Sequence, residues 1–426
     1  MRRLWCVLFA MQLVACAAHE SGVDSESHFF GCTTDSACQR LGSGAECVNG
    51  TCQVRSQAVP ADAAPQRRGM DAAVQASDVG AGPPATALAT GQALPSAIAV
   101  DGTDVYWFNL GQVTNVGTKD RSYVNGQIAK CAIAGCDGMP AVLAIDVNEL
   151  PMGAALTADK GNVFWTAEGN DENPRIFWCS ADNCPSPTSM YPALYAAGAR
   201  SLFADGTNLY WTTTNTDLSV CDVTNCRPKT LSALTNTGDT GNLRLIADEA
   251  TLYWIRNRDI LKCDKAGCGG AASLAVPPST LVQKSQPFDL AVDANYIYWT
   301  TWDISDPSVN GGFGIGQVLR CEKSGCQTPV VVVSGLLQPA AIATDGTNVY
   351  WSETADPSCC SSGDNNSCCT GATAGRIAKC AVTGCDVPTV LTRQVPAANL
   401  VVDAWNIYFT TTDANRTTGN VMRIPK

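Results

Sequence analysis

Histidine is almost missing from this 426-residue chain: the two it has, His19 and His28, both lie near the N-terminus. Their scarcity denies the rest of the sequence Ser-His-Asp and Cys-His nucleophile systems and His-ligated metals. No Walker loop, GxSxG or HExxH motif occurs either. Long apolar runs are also lacking, and none approaches the roughly 18 residues of a membrane-spanning helix. Basic residues are in deficit, with 28 Lys+Arg against 39 Asp+Glu and a formal charge of -11. That balance argues against a nucleic-acid partner, whose phosphates require clustered Lys and Arg. Charged residues make up only 16% of the chain and form no long run, so the acidic surplus reads as solvated surface.

What the chain has in quantity is cysteine, 22 in all. Cys6 and Cys16 belong to an N-terminal segment in which Arg2 and Arg3 precede a short apolar run, Leu4 to Val14. This has the form of a secretory signal, and fold reasoning leaves it aside. It closes on Leu13-Val14-Ala15-Cys16, which resembles a bacterial lipobox. The resemblance implies residues 1–15 as signal peptide, lipid attachment at Cys16, and an exported, membrane-anchored product. With Ala17 after the cysteine, it also implies the outer membrane or cell surface. The other twenty cysteines are an even number in a chain expected to leave the cytoplasm, which implies disulfides.

Residues 16–83 show no sustained periodicity and are rich in Ala, Ser, Gly, Pro and Asp. The expectation is a disordered tether (16–31), a small module (32–52) and a flexible linker (53–83). The module carries Cys32, Cys38, Cys47 and Cys52, enough to staple a knot too small for a hydrophobic core. It resembles small Cys-rich modules of deltaproteobacterial lipoproteins. Three connectivities are open.

From residue 84 onward one unit repeats. Asp101, Asp159, Asp205, Asp248, Asp293, Asp345 and Asp403 each precede an aromatic pair by five positions. The pairs are Tyr106-Trp107, Phe164-Trp165, Tyr210-Trp211, Tyr253-Trp254, Tyr298-Trp299, Tyr350-Trp351 and Tyr408-Phe409. The aspartates are 58, 46, 43, 45, 52 and 58 residues apart, close to the spacing of propeller blades. Each unit reads as four strands: an apolar inner strand, a second strand carrying the aromatics, and two more. The fold class expected is all-β, a seven-bladed β-propeller with four-stranded blades over 84–426. The seventh unit ends with its third strand, and Pro84-Ala85-Thr86-Ala87-Leu88 resembles the missing fourth. The N-terminal strand should therefore close the ring and remove its exposed edges.

The aromatic motif resembles that of YWTD-type propellers of the low-density-lipoprotein-receptor family. The resemblance implies architecture only, because those propellers usually have six blades and the motif's final Asp is absent here. Six units also carry Cys-x4-Cys: Cys131/Cys136, Cys179/Cys184, Cys221/Cys226, Cys263/Cys268, Cys321/Cys326 and Cys380/Cys385. Cysteines bracketing a four-residue hairpin loop can reach disulfide distance. So small a loop gives limited entropic stabilisation, and each staple is expected mainly to fix local geometry. Cys359, Cys360, Cys368 and Cys369, in a long insertion, are expected to form two further bridges of open connectivity.

Function is expected on the face that carries the loops from second to third strands, which vary most in length. Trp302, Asp303, Asp306 and Phe313 in the fifth unit are the ligand-binding candidates. No catalytic residue, metal site or cofactor is assigned. The reading is a monomeric, lipid-anchored recognition scaffold in the cell envelope, with the membrane and an unknown protein or glycan as partners. The alternative is a metal-dependent propeller hydrolase or lactonase using carboxylates at the channel mouth. The column four residues before each aspartate bears on that choice: Ala97, Ala155, Ser201, Arg244, Asp289, Ala341 and Asn399. It suggests an Arg244–Asp289 ion pair in place of a cation cage.

Overall fold

The computed structural model describes residues 45–48, 51–54, 84–114, 122–147, 155–168, 174–190, 199–213, 218–232, 244–256, 259–269, 272–276, 285–303, 315–354, 375–413 and 417–426. They fall in two units, within Met1–Asp71 and within Ala72–Lys426. In the first, strands Ala45–Val48 and Thr51–Val54 pair antiparallel with Cys47 opposite Cys52. The signal, the tether, Cys32 and Cys38 lie outside the described residues, as do Cys359, Cys360, Cys368 and Cys369.

The second unit is a seven-bladed propeller of four-stranded antiparallel sheets. Blade 1 runs outward through Pro95–Val100, Asp104–Asn109, Gln127–Ala132 and Ala141–Ala144. Blades 2 to 6 repeat that order, beginning on inner strands Leu156–Asp159, Ser201–Ala204, Leu245–Ala247, Ser285–Val292 and Pro339–Thr344. Blade 7 runs Leu400–Val402, Asn406–Thr412 and Gly419–Pro425, and its outermost strand is Thr86–Gln92 from the start of the unit. Thr86 pairs with Arg423 and Gln92 with Gly419, so the closure expected from the sequence is present, with a strand that extends beyond the segment that suggested it. Inner strand Leu400–Val402 also touches Pro95–Val100, completing the ring. An extra hairpin, Gln112–Thr114 with Ser122–Val124, rises from the second-to-third connection of blade 1.

The repeated motif has a mechanical explanation. The aspartate ends the inner strand, and its Oδ1 accepts the N–H groups two and three residues on, which clamps the turn. In blade 5 these come from Asn295 and Tyr296, both at 2.8 Å. In blade 7 they come from Trp405 and Asn406, both at 2.7 Å. Oδ2 meanwhile accepts the phenol five residues on: Tyr106 at 2.8 Å, Tyr253 at 3.2 Å, Tyr298 at 2.7 Å, Tyr350 at 2.9 Å and Tyr408 at 2.7 Å. One carboxylate thus fixes the hairpin and the orientation of the ring behind it.

Adjacent residues of a strand face opposite sides of the sheet. The tyrosine therefore packs toward the following blade and the tryptophan toward the preceding one. Tyr253 joins Trp299 between blades 4 and 5, Tyr298 joins Trp351 between 5 and 6, and Tyr350 joins Phe409 between 6 and 7. Tyr408 joins Trp107 across the closure. The core is accordingly seven separate junctions, each holding one ring from either side. Close approach also needs glycine: a Cβ on Gly316 would lie 2.3 Å from Pro339 of the next blade, and one on Gly419 would lie 2.9 Å from Pro95.

All six Cys-x4-Cys pairs form disulfides: Cys131–Cys136, Cys179–Cys184, Cys221–Cys226, Cys263–Cys268, Cys321–Cys326 and Cys380–Cys385. Their Cα–Cα distances run from 4.8 to 5.7 Å, within the range a disulfide spans. The expectation that they act mainly as local staples needs correction, because both cysteines of each pair pack against the outer part of the preceding blade. Cys136 joins Leu88 and Ala89 of the closing strand, and its Sγ lies 3.6 Å from Leu88 O. Cys184 joins Leu143 and Ala144 of blade 1, Cys226 joins Met190 at the end of blade 2, and Cys268 joins Leu231 of blade 3. Cys326 meets Val276, and Cys385 meets Val332 and Val333. The first cysteine of every pair is buried, whereas Cys136, Cys184, Cys226, Cys268 and Cys385 are half-buried at the rim of the junction.

Two residues past the first cysteine, Lys265 and Lys323 reach back to the preceding blade's motif aspartate. Lys265 lies 3.3 Å from Asp205, and Lys323 lies 2.7 Å from Asp248. Lys426 does the same in blade 7, at 2.9 Å from Asp345. Blades 1 and 6 have Ile133 and Val382 at this position, and there an arginine of the preceding blade, Arg423 or Arg320, donates to their backbone carbonyls.

Burial by itself would raise the carboxyls of Asp101, Asp205, Asp248, Asp345 and Asp403, but their turn N–H, phenol and lysine donors outweigh it and hold them below the usual carboxylate range. Burial and the neighbouring aspartate push Tyr210 and Tyr408 up to about 12. The phenols therefore remain donors and the carboxylates acceptors across physiological pH. Blade 2 is the exception: Phe164 has no hydroxyl, and Asp159 Oδ2 is buried without a hydrogen-bond partner among the described residues. Burial pushes that carboxyl up.

Two outcomes follow. Deleting residues 84–92 strips blade 7 of its outer strand and of the buried Leu88 and Ala89, and should lower the melting temperature by about 10 °C. A truncated chain that melts with the parent would contradict the closure. Phe164→Tyr should supply the missing donor to Asp159. A hydrogen bond to a charged group contributes about 1.5 kcal/mol or more, so calorimetry should show a rise of about 2 °C.

Candidate functional site

The inner strands begin at one mouth of the central channel and end at the motif aspartates. Antiparallel order puts the second-to-third and fourth-to-first connections on the mouth where inner strands begin. There a cavity of about 180 Å³ is lined by the start of several inner strands, with Arg200, Ser201, Arg244, Asp289 and Asn399 as its polar members.

Asp289 sits where the inner strand slips in register, between Pro287 and Leu290, whereas Ser201 pairs in regular register with Thr212, and Arg244 and Asn399 stand immediately before their inner strands. Ser201, Asp289 and Asn399 each reach the next blade. Ser201 Oγ accepts Leu245 N–H from blade 4 at 3.0 Å, and Asp289 Oδ2 accepts Ile342 N–H from blade 6 at 3.0 Å. Asn399 Nδ2 donates to Ser96 O of blade 1 at 3.1 Å. The buried hydroxyl after the tryptophan serves the same seam: Thr300 Oγ1 receives Asp289 N–H at 3.2 Å and donates to Ala340 O at 2.8 Å. Thr410 Oγ1 donates to Ser96 O at 3.1 Å.

Arg244 Nε lies 2.9 Å from Asp289 Oδ1, the ion pair suggested by the sequence. The arginine side chain is 38% exposed, whereas the aspartate is at 10%. Burial pushes the Asp289 carboxyl up, and Arg244 and the N–H groups of Ile342 and Leu290 oppose that shift. Asp289 is the one carboxylate lining the cavity among the described residues, and both of its oxygens are engaged. A cation at this mouth would have to compete with a guanidinium already in place.

The fifth-unit candidates are only partly described. Trp302 and Asp303 are strand residues, paired in register with Gln286 and Ser285, and Trp302 also pairs with Gly316. The strand Tyr296–Asp303 continues past the aromatic pair into the segment expected to be loop, because Thr300 and Thr301 are buried between blades. The side chains of Trp302 and Asp303, and the whole of Asp306 and Phe313, lie outside the described residues.

A buried network not anticipated from the sequence anchors the insertion of blade 6. Glu353 is fully buried. Its Oε1 accepts Arg376 Nε at 2.7 Å and Trp351 Nε1 at 3.1 Å, and its Oε2 accepts Leu337 N–H at 2.9 Å. A carboxylate so fully committed fixes the base of the insertion instead of presenting a reactive group. The signal was Glu353 and Arg376 at the two ends of the insertion, which become neighbours once those ends pair as strands.

No protein-family model matches the chain, and no curated protein matches it. Among solved structures it is similar to the one described as U3-55K, at 11% identity over 80% of this chain and 98% of that one, with a TM-score of 0.51. A structure of YCF48 bound to D1 peptide matches at 10% identity over 80% of this chain and 94% of that one, with a TM-score of 0.50. A nidogen/laminin complex matches at 16% identity over 55% of this chain and 84% of that one, with a TM-score of 0.37, too slight to carry an argument. At these identities the likeness shows the propeller fold and nothing further.

Proposed function

We propose that the chain is an exported recognition scaffold, held to the cell envelope through Cys16, which binds a protein or glycan on its variable loop face. The observation that carries this reading is the contrast between the two ends of the blades. At one end the connections are short turns clamped by the same aspartate in blade after blade. At the other they range from Arg256 followed almost at once by Asp259 to the long insertion between Glu353 and Arg376. Rigid blades with divergent loops on one face suit binding, because the scaffold carries the ordering cost and the loops carry specificity.

Six disulfides are at home in an oxidising compartment, outside the cytoplasm. Among the described residues no helix is long and apolar enough to cross a membrane, so anchorage in this reading rests on the lipid at Cys16. The same fold carries a bound peptide in the YCF48 structure, a precedent for peptide recognition on a propeller. The hydrolase alternative gains no support from the mouth, where Asp289 is held by Arg244 and backbone N–H groups.

The test is a pull-down from envelope extracts with the propeller unit, beside a variant in which the second-to-third connections of blades 1, 2, 5 and 6 are shortened. A partner captured by the parent and lost by the variant, with melting temperature preserved, is the expected result. Equal capture by both would remove the loop face from the account.

A further inference from the structure

The large apolar side chains that the fold leaves exposed are not scattered over the blades. Among the described residues, Trp405 is 76% exposed and Met139 78%, while Val142, Val330, Val331 and Val387 are about half exposed. Trp405 stands in the motif turn of blade 7, and Met139 and Val387 follow the second cysteine in the hairpins of blades 1 and 6. Val142, Val330 and Val331 fall in the first two residues of the outer strands of blades 1 and 5. All six are at the end of the blades where the motif turns lie, opposite the variable loops, and the closed ring makes blades 5, 6, 7 and 1 consecutive. Of the two remaining exposed side chains of this kind, Leu274 shares that end in blade 4, and Ile145 alone lies toward the loops.

The turn does not need a tryptophan. The Trp405 N–H donates to Asp403 Oδ1 at 2.7 Å and its carbonyl accepts the Lys426 N–H at 3.1 Å, backbone contacts that any residue but proline can make. The other blades have Thr103, Gly161, Thr207, Ala250, Asn295 and Thr347 at this place. A large amphipathic ring on a fixed turn suits the boundary between headgroups and acyl chains, where an indole buries its body and keeps its N–H wet. The chain also enters the propeller at this end. Thr86 pairs with Arg423, and Asn406 of the motif turn pairs with Pro425, before the closing strand runs on to Gln92 opposite Gly419. Residues 17–83, which join Cys16 to the propeller, therefore arrive within the apolar arc. The exposed Asp137 and Asp386 stand close to Met139 and Val387 in the chain, so the attraction is apolar and not that of a basic patch for anionic lipid.

We infer that the turn end of blades 5, 6, 7 and 1 lies on a bilayer surface, with Trp405 at the interface and the variable loop face directed away from the membrane. The inference deepens the anchored reading and rests on it for proximity. A propeller already tethered by a lipid meets the surface intramolecularly, so a contact too weak to recruit it from solution suffices to orient it. A second membrane contact of this kind also converts marginal lipid anchoring into stable attachment.

Trp405 fluorescence, taken as the difference between the full chain and its Trp405→Ala variant, is measured on phosphatidylcholine vesicles carrying brominated acyl chains. The mass of the N-terminal peptide reports lipid at Cys16. Trp405 should be quenched by the brominated lipid and protected at least threefold from aqueous acrylamide relative to the vesicle-free chain, and high salt should not reverse either effect. Met139→Asp combined with Val387→Asp should at least halve the quenching and leave the melting temperature in place. A lipidated chain whose Trp405 stays open to acrylamide on the vesicles overturns the inference and leaves the anchored reading standing. A chain without lipid at Cys16 removes the anchored reading. Quenching of Trp405 at high vesicle concentration then upholds the turn end as the membrane contact, and its absence overturns that as well. Shielding of Trp405 without vesicles, rising with protein concentration, assigns the arc to a second copy of the chain and overturns the inference.

Discussion

In every blade but the second, a single carboxylate at the end of the inner strand does two things at once, and the rest of the propeller is arranged around it. Asp293 shows the arrangement most simply: Oδ1 closes the turn onto Asn295 and Tyr296, and Oδ2 holds the Tyr298 hydroxyl. A phenol fixed at its tip can have its ring aimed only one way. Because side chains alternate along a strand, the neighbouring tryptophan must then face the other blade. Six of the seven junctions have this constraint behind their pair of large rings, and between blades 2 and 3 Phe164 takes the same place without a hydroxyl. A wedge-shaped space between flat sheets is thereby filled without a continuous core.

A core divided into junctions needs ties that cross them, and the ties are distributed unevenly. Lys265, Lys323 and Lys426 bind the previous blade's aspartate, whereas Arg320 and Arg423 reach forward to a carbonyl of the next blade. In blades 1, 4, 5 and 6 the tie used follows from whether lysine or an aliphatic residue stands two places after the first cysteine. The disulfides contribute to the same surfaces, since Cys136, Cys184, Cys226 and Cys268, half-buried, pack against the junction clusters that hold their buried partners. Packing of the bridges against the preceding blade gives these hairpins a larger role than staples of five-residue separation would have alone.

Much of this architecture was legible in the sequence because it is periodic. Seven aspartates at blade-like spacing, each with an aromatic pair at a fixed offset, specify blades directly, and an incomplete last unit with a strand-like start specifies the closure. The Arg244–Asp289 pair was legible for the same reason: opposite charges in one column of adjacent units must lie side by side on adjacent inner strands. The cysteine spacing disclosed the bridges but not what lies against them, because the preceding blade's outer strand is distant in the repeat. The lysine column was equally present, at Lys265 and Lys323, yet it was hidden in blade 7, where Ile424 replaces the cysteine that marks the register for Lys426. Glu353 and Arg376 were hidden by the insertion between them. Trp302 and Asp303 read as loop because the repeat stops at the aromatic pair, although pairing with the third strand continues past it.

The functional surface is what periodicity leaves over. Regular positions are consumed by turns, junctions and seams. What differs from blade to blade is the length of one set of connections and the chemistry of one column at the channel mouth, where Arg244 and Asp289 stand with Ser201, Asn399 and alanines. Both differences lie at the same end of the blades. The account rests on the aspartate coupling turn to ring, and a double-mutant cycle on Asp293→Ala and Tyr298→Phe measures that coupling directly. Unfolding free energies should show an interaction of about 2 kcal/mol between the two positions, as for a hydrogen bond to a charged group. Effects that add to within about 0.3 kcal/mol would mean that aspartate and ring act independently, and would contradict it.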